Sequence, residues 1–147
     1  MSYDLAVFEP RAELRNPEVF DEWYEKRGEW IEEGIDGYDC GDPAHATQAL
    51  RDWFAEMILL FPPMNGPLAA DIDDDDAVER AADYSIYPDL IYIGFGWSQA
   101  EEACEACLRL AEKHGVGFFD ITTGGVYFPD ATGKLALVHG GSPAPDA

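Results

Sequence analysis

Two short apolar segments, Tyr3–Phe8 and Leu90–Phe95, are the feature that most constrains the fold of this chain. A strand that is exposed on one face alternates apolar and polar residues, whereas Leu90–Phe95 (Leu-Ile-Tyr-Ile-Gly-Phe) does not alternate. Tyr3–Phe8 is a comparable run that ends at Glu9-Pro10. Both segments are therefore predicted to be buried strands, and the rest of the chain has to supply the elements that cover them.

Three segments carry the signals of covering helices. Asn16-Pro17 indicates a helix start, because asparagine caps free amides and proline suits the first helical position. Asp42-Pro43 repeats this signal, Ser98–Glu101 has the pattern of a capping box, and Lys113–Gly115 is typical of a helix end. The second and third helices have apolar faces made of Ala46, Leu50, Trp53, Phe54, Met57 and Phe61, and of Ala100, Ala103, Cys104, Cys107, Leu108 and Ala111.

The strands are predicted to follow a simple order along the chain. Asp83–Tyr87 and Leu90–Phe95 flank a tight turn, and the turn at 130–133 is expected to join a second hairpin. Val116–Ile121 follows the third helix, so that strand, helix and strand form a βαβ unit, which is expected to be parallel and right-handed. Residues 77–82 add a short helical turn.

These elements predict a single domain of the α+β class, with α/β as the alternative. We expect about three helices packed on a mixed sheet of about four to six strands, with one βαβ unit. The globular domain is predicted to span residues 1–139. Residues 140–147 are expected to form a flexible C-terminal tail, because they are small and rich in proline.

The charge balance limits the partners that this chain can bind. It has 30 acidic residues against 9 basic ones and a net charge of -21, yet 47% of its residues are hydrophobic, which distinguishes it from a disordered acidic tail. Phosphates repel such a chain, so neither nucleic acid nor an anionic membrane is expected as a partner, whereas a basic protein is. An N-terminus without a signal pattern and an odd count of three cysteines predict a cytoplasmic protein.

An acidic run from residue 71 to residue 76 is the first candidate for chemistry. Asp71, Asp73 and Asp75 alternate as the first ligands of a calcium loop do. Asp76, however, stands where that loop needs glycine, and Ala82 where it needs a bidentate acid. The run is therefore interpreted as a solvated loop or as a surface that attracts a basic partner, and a looser divalent site stays open.

The cysteines provide weaker candidates. Cys104 and Cys107 lie on the apolar face of the third helix and are predicted to pack in the core. Cys40 precedes a predicted helix start, with His45 in that helix's first turn, so the pair could act as nucleophile and base. Two neighbouring aspartates oppose a thiolate at Cys40, and no oxyanion site is recognisable.

Gly94-Phe95-Gly96 superficially matches a dinucleotide-binding turn, but Trp97 follows and the third glycine is missing. A tight corner between strand and helix explains these glycines better. We therefore assign no catalytic residue, no metal ligand and no cofactor.

The predicted partner-binding surface combines acids with aromatic residues. Tyr84, Tyr87 and Tyr92 either pack in the core or line a cleft beside the aspartates, and tyrosine is a favoured contact residue at interfaces. The predicted partner-binding residues are Asp71, Asp73, Asp74, Asp75, Asp76, Asp83, Tyr84 and Tyr87.

Several segments resemble a family of small acidic bacterial proteins. They are M-S-Y-D-L-A-V-F at the start, F-P-P-x-N-G-P-L, I-Y-I-G-F-G-W-S-Q-A-E-E-A and L-A-E-K-H-G-V-G-F-F-D. Members of this family typically open Y-D-L-A-V-W, where this chain has Phe8, and carry a W-S-x-A-E-E helix start. The family has no established activity, and some members resemble immunity proteins of polymorphic toxin systems. The resemblance implies an inhibitory binding role and supplies no catalytic residue.

Three hypotheses about function follow. The first is a cytoplasmic binding protein that blocks a basic partner, as an immunity protein masks a toxin. The second is a non-catalytic acidic structural domain, whose acids should be scattered evenly over the surface. The third is an enzyme that uses Cys40 and His45, or a metal held by the aspartates.

Overall fold

Six strands form one sheet in the computed structural model, which describes residues 3–33, 43–64, 73–121 and 123–140. The strands are β1 (Tyr3–Phe8), β2 (Asp83–Tyr87), β3 (Leu90–Phe95), β4 (Gly117–Asp120), β5 (Gly125–Pro129) and β6 (Leu135–His139). Their spatial order is β2-β3-β1-β4-β5-β6, and every neighbouring pair is antiparallel.

Four α-helices accompany the sheet within the described residues. They are α1 (Pro17–Glu33), α2 (Gln48–Leu60), α3 (Asp75–Arg80) and α4 (Ala100–His114). Short 3₁₀ turns at Ala12–Arg15, Pro43–His45 and Trp97–Gln99 precede α1, α2 and α4. None of the helices in the described part of the chain combines the length and the apolar character that crossing a membrane requires.

The predicted α+β class is confirmed, and the sheet differs from the prediction in one respect. Neighbouring strands are antiparallel throughout, so the sheet is not mixed. β3 and β4 both run antiparallel to β1, and they are therefore parallel to each other, as the predicted βαβ unit requires. β1 lies between them and so splits the unit. The last four residues of β1 are fully buried, and the backbone N–H and C=O groups of a buried strand need hydrogen-bonding partners on both edges.

The two faces of the sheet carry two separate apolar clusters. Leu5 and Val7 of β1 point into the cluster that α2 and α4 cover, together with Trp53 and Phe118. Ala6 and Phe8 point to the opposite face, which α1 covers. This alternation follows from the two-residue period of a strand. Both faces of β3 are also buried, as its lack of alternation predicted.

The start of α1 is confirmed, whereas the start of α2 is later than predicted. The Asn16 side chain accepts hydrogen bonds from the backbone N–H groups of Glu18 and Val19 at 2.9 and 3.3 Å. α2 begins only after Thr47, whose backbone N–H donates to the Pro88 carbonyl at 3.2 Å and whose hydroxyl donates to a Glu9 carboxylate oxygen at 2.6 Å. These contacts hold Thr47 in an extended conformation, so the helix cannot begin at Pro43.

The prediction for the start of α4 is wrong, whereas the prediction for its end is confirmed. The predicted capping box is wrong: Ser98 lies in the 3₁₀ turn, α4 begins at Ala100, and the Gln99 side chain makes no capping hydrogen bond. The predicted C-terminus is confirmed, because Gly115 follows the helix with a φ of 69°. His114 and Lys113 both bind the Glu56 carboxylate of α2, Lys113 at 2.6 Å, and these contacts lower the pKa of Glu56.

The hairpin predicted around residues 130–133 is confirmed. It joins β5 to β6, and the Asp130 carboxylate accepts hydrogen bonds from the backbone N–H groups of Thr132 and Lys134 at 2.8 and 3.1 Å. Of the predicted tail at 140–147, only Gly140 is among the described residues.

We expect Gly117→Ala to destabilise the fold by about 1–3 kcal/mol, because its new methyl group would overpack a buried ring. A Cβ atom at Gly117 would lie within 3.0 Å of three atoms of the Phe8 ring, which contacts Phe20 and Phe128. Chemical unfolding followed by circular dichroism measures the loss. Gly96→Ala is the matched control, because its Cβ would meet only Ser98 Oγ, at 4.0 Å. Equal stability of the two variants would contradict the argument.

Candidate protein-binding surface

The acidic run is partly built into α3. Asp73 and Asp74 are exposed, and the Asp74 carboxylate accepts a hydrogen bond from the backbone N–H three residues later at 3.2 Å. Asp75 is the first residue of α3, where negative charge is favoured by the helix dipole, and residue 76 continues the helix. Asp71 lies outside the described residues. The described part of the run is therefore a helix cap and a helical turn rather than a loop.

Asp83 is exposed at the start of β2, but the two predicted partner-binding tyrosines are not. Tyr84 is 8% and Tyr87 is 3% exposed, so as packed they offer almost no area to a partner. The Tyr84 hydroxyl donates to the Phe61 carbonyl at 2.6 Å, its ring contacts Phe54 edge-on, and burial raises its pKa above the ordinary value. The cleft interpretation is wrong for this pair, because β2 packs one tyrosine into each apolar cluster.

α3 is fastened to the rest of the molecule by Arg80. The Arg80 Nε–H donates to the Leu60 carbonyl at 3.2 Å, and the guanidinium lies 5.0 Å from the centre of the Phe61 ring. The same side chain forms an ion pair with Glu102 of α4 at 2.9 Å. Arg80 therefore brings the acidic run, the end of α2 and the start of α4 together at one end of the molecule.

Exposed apolar side chains are concentrated at the same end. Met64 donates its backbone N–H to the carbonyl of Ala82, the residue before β2, at 2.9 Å. Trp97 follows β3, is 49% exposed, and contacts the ring of Tyr3 at 5.4 Å. We call this region the acidic end: its exposed acids are Asp73, Asp74, Asp75, Glu79, Asp83, Glu101 and Glu102, and its exposed apolar residues are Leu59, Met64, Val78 and Trp97.

A recess of about 360 Å³ opens at the acidic end, on the face of the sheet that α1 covers elsewhere. Asp4 of β1 and Asp83 of β2 both pair with Gly94 of β3, so the two carboxylates flank this glycine. The Tyr92 hydroxyl forms a hydrogen bond with Asp4, and burial raises the pKa of Tyr92 above its ordinary value. The residues that line the recess are Asp4, Met64, Asp83, Tyr92, Gly94, Phe95 and Gly96.

Sequence reasoning missed Asp4, Met64 and Trp97 as surface candidates. Asp4 carried a usable signal, because it is the single charged residue in an otherwise apolar strand. In the sequence, Trp97 is notable only as a departure from the dinucleotide-binding pattern and as part of the W-S-x-A-E-E segment. Their proximity could not be read from the chain, because it depends on how the strands pair.

Of the predicted nucleophile and base, only the base lies in the described part of the chain. His45 lies in a 3₁₀ turn before α2 rather than in its first turn, and Cys40 lies outside the described residues. Cys107 is buried and Cys104 half-buried among the apolar residues of α4, as predicted, and both are free thiols. Within the described ranges, no three potential metal-ligating side chains cluster.

Comparison with known proteins adds no assignment. No protein-family model, no curated protein and no solved structure matches this chain significantly. The geometry of the acidic end is therefore the basis for a functional proposal. An arrangement of exposed carboxylates around exposed apolar side chains can bind a cationic surface, because charge and apolar area are both offered.

We expect Arg80→Ala to destabilise the protein by about 1–2 kcal/mol, because a hydrogen bond, a cation–π contact and an ion pair are lost together. Glu102→Ala removes only the exposed ion pair and should cost less than about 0.5 kcal/mol. Urea unfolding of both variants distinguishes the contributions. Equal losses would show that the ion pair, rather than the contacts with Leu60 and Phe61, fastens α3.

Cys104 and Cys107 are expected to react slowly with iodoacetamide at pH 7, because burial raises the pKa of both thiols and only the thiolate is nucleophilic. Mass spectrometry of digested protein locates the label on each cysteine. The same reaction in denaturant, where both thiols are exposed, is the control. Rapid labelling of Cys107 in the folded protein would contradict its place in the core.

Proposed function

We propose that this protein binds a basic protein partner through the acidic end and blocks the partner's activity. The observation that carries the proposal is the coincidence of exposed acids with exposed apolar residues at one end of the fold. Leu59, Met64, Val78 and Trp97 are there, whereas the other large exposed apolar residues of the described chain, Val19 and Leu137, lie elsewhere.

The two kinds of residue have different roles in such a complex. Carboxylates attract a cationic surface over long range and so accelerate association. Exposed apolar and aromatic side chains, once buried by the partner, slow dissociation. Trp97 is the strongest anchor candidate, because tryptophan is enriched among residues that dominate binding energy and half of its surface is available.

The kind of partner that fits best is a toxin whose active surface is basic, with this chain acting as its cytoplasmic immunity protein. The resemblance of the β1 and α4 segments to acidic bacterial proteins supports this role, as does the net charge of -21. An inhibitor of this kind needs no catalytic residue of its own, because covering the active surface of the toxin is sufficient.

A non-catalytic acidic structural domain is the competing interpretation. Exposed acids on α1, such as Glu18, Asp21 and Glu25, show that part of the charge is spread over the surface, as that interpretation requires. It does not account for the grouping of four exposed apolar residues at one end, because scattered single ones are ordinary whereas a group is typical of an interaction site.

The test uses the purified products of the reading frames adjacent to this gene, among which a toxin is the expected partner. We expect a 1:1 complex at low salt, with loss of toxicity on co-expression. The triple variant D73N/D74N/D75N should lower the association rate constant about tenfold, because it removes three charges from the acidic end. Trp97→Ala should instead raise the dissociation rate constant about tenfold or more. Surface plasmon resonance measures both constants.

Two variants provide matched controls. E18Q/D21N/E25Q removes three charges from α1, and Leu137→Ala truncates an exposed apolar residue on β6. Both should leave the kinetics nearly unchanged. The proposal fails if no complex forms at low salt, or if the α1 variant slows association as much as the variant of the acidic end.

A further inference from the structure

The recess at the acidic end has a defined arrangement of charge. Asp4, Gly94 and Asp83 are directly opposite one another on three adjacent strands, so their side-chain positions lie on the same face of the sheet. Adjacent strands are about 4.8 Å apart, which places the Cα atoms of Asp4 and Asp83 about 10 Å apart. Gly94 lines the recess and has no side chain, so β3 places no side chain between the two carboxylates.

The walls of the recess limit what can enter it. Tyr92 lies two residues before Gly94 on β3, on the same face, and its hydroxyl bonds to Asp4. Met64, which is exposed, also lines the recess. A volume of about 360 Å³ is within the range of sites that bind a small ligand or one large side chain.

Two tyrosines lie close to the Asp4 carboxylate in this recess. Burial, followed by the nearby Asp4 carboxylate, raises the pKa of Tyr24 to about 12. Burial and the contact with Asp4 also raise the pKa of Tyr92. Among the residues that the structure describes, none of the side chains lining the recess is cationic. A ligand that enters between Asp4 and Asp83 therefore meets carboxylates from two directions and an aromatic ring from a third.

We propose that this recess receives one arginine side chain of the basic partner, with its guanidinium group between Asp4 and Asp83. A planar guanidinium presents N–H donors along more than one edge, so it can bond to carboxylates on opposite sides at once. It also stacks on aromatic rings, which Tyr92 provides. A lysine ammonium is a compact point charge and bridges two separated carboxylates less well.

This inference rests on the proposed function, because it names the group of the partner that the acidic end would hold. Its test needs no partner and can fail separately. The recess could prove indifferent to arginine while the toxin still binds, and arginine could bind even if no toxin does.

The experiment is an NMR titration of the ¹⁵N-labelled full chain with Nα-acetyl-arginine amide at low salt. We expect saturable shifts of the Tyr92, Gly94 and Phe95 amide signals, with a dissociation constant of about 1 mM, as suits a ligand of this size. The citrulline analogue has nearly the same shape without the charge and should cause no saturable shift. The lysine analogue should bind at least about threefold more weakly.

Variants separate the recess from the general negative charge. Asp4→Asn and Asp83→Asn should each weaken binding about threefold or more, and Gly94→Ala should do so by adding a methyl group between the carboxylates. Glu105→Gln, on α4 at the other face of the sheet, loses the same charge and should bind normally. Circular dichroism confirms that each variant is folded, and Asp83→Asn, at an exposed site, keeps the test decisive if Asp4→Asn unfolds.

Three results would overturn the assignment. Equal binding of the citrulline analogue would show that charge is not recognised, and equal or tighter binding of the lysine analogue would exclude a guanidinium site. An equal loss in Glu105→Gln, or shifts spread over all acidic surfaces, would show only non-specific attraction of a cation.

Discussion

β1 has to be covered on both faces and paired on both edges, and this requirement determines where the other elements lie. Leu5, Ala6, Val7 and Phe8 have no exposed surface. α2 and α4 cover one face of the strand and α1 the other, while β3 and β4 take its two edges. The chain segment between β3 and β4 therefore has to cross β1, and α4 is that segment. The split βαβ unit is a direct consequence.

The same constraint creates the acidic end. Because β1 is antiparallel to β3, the first residues of β1 lie beside the last residues of β3, and β2 begins on the far side of β3. Asp4 and Asp83 are 79 positions apart in the chain, yet each is paired with Gly94. The 3₁₀ turn that contains Trp97 also lies at this end, directly after β3. Arg80 attaches α3 to the same end through the Leu60 carbonyl.

Three of the nine basic residues, although partly exposed, pair with carboxylates of the same molecule. Arg11 binds the buried Asp89 carboxylate at 3.2 Å, a group that also accepts a hydrogen bond from the Trp23 indole. Arg80 and Lys113 link helices to each other. Each of these cations offsets a carboxylate or joins two elements. With 30 acidic residues against 9 basic ones, most carboxylates have no basic side chain to pair with.

The sequence alone predicted an α+β class with α/β as the alternative, the two hairpins, the start of α1, the end of α4 and the packing of Cys104 and Cys107 against the core. These properties depend on residue spacing and on turn and capping residues within a few positions of one another. Only the tertiary structure decided the place of β1, the late start of α2, the burial of Tyr84 and Tyr87, and the pairing of Asp4 and Asp83 with Gly94. Strand register and contacts between distant segments control these features, and local patterns do not encode them.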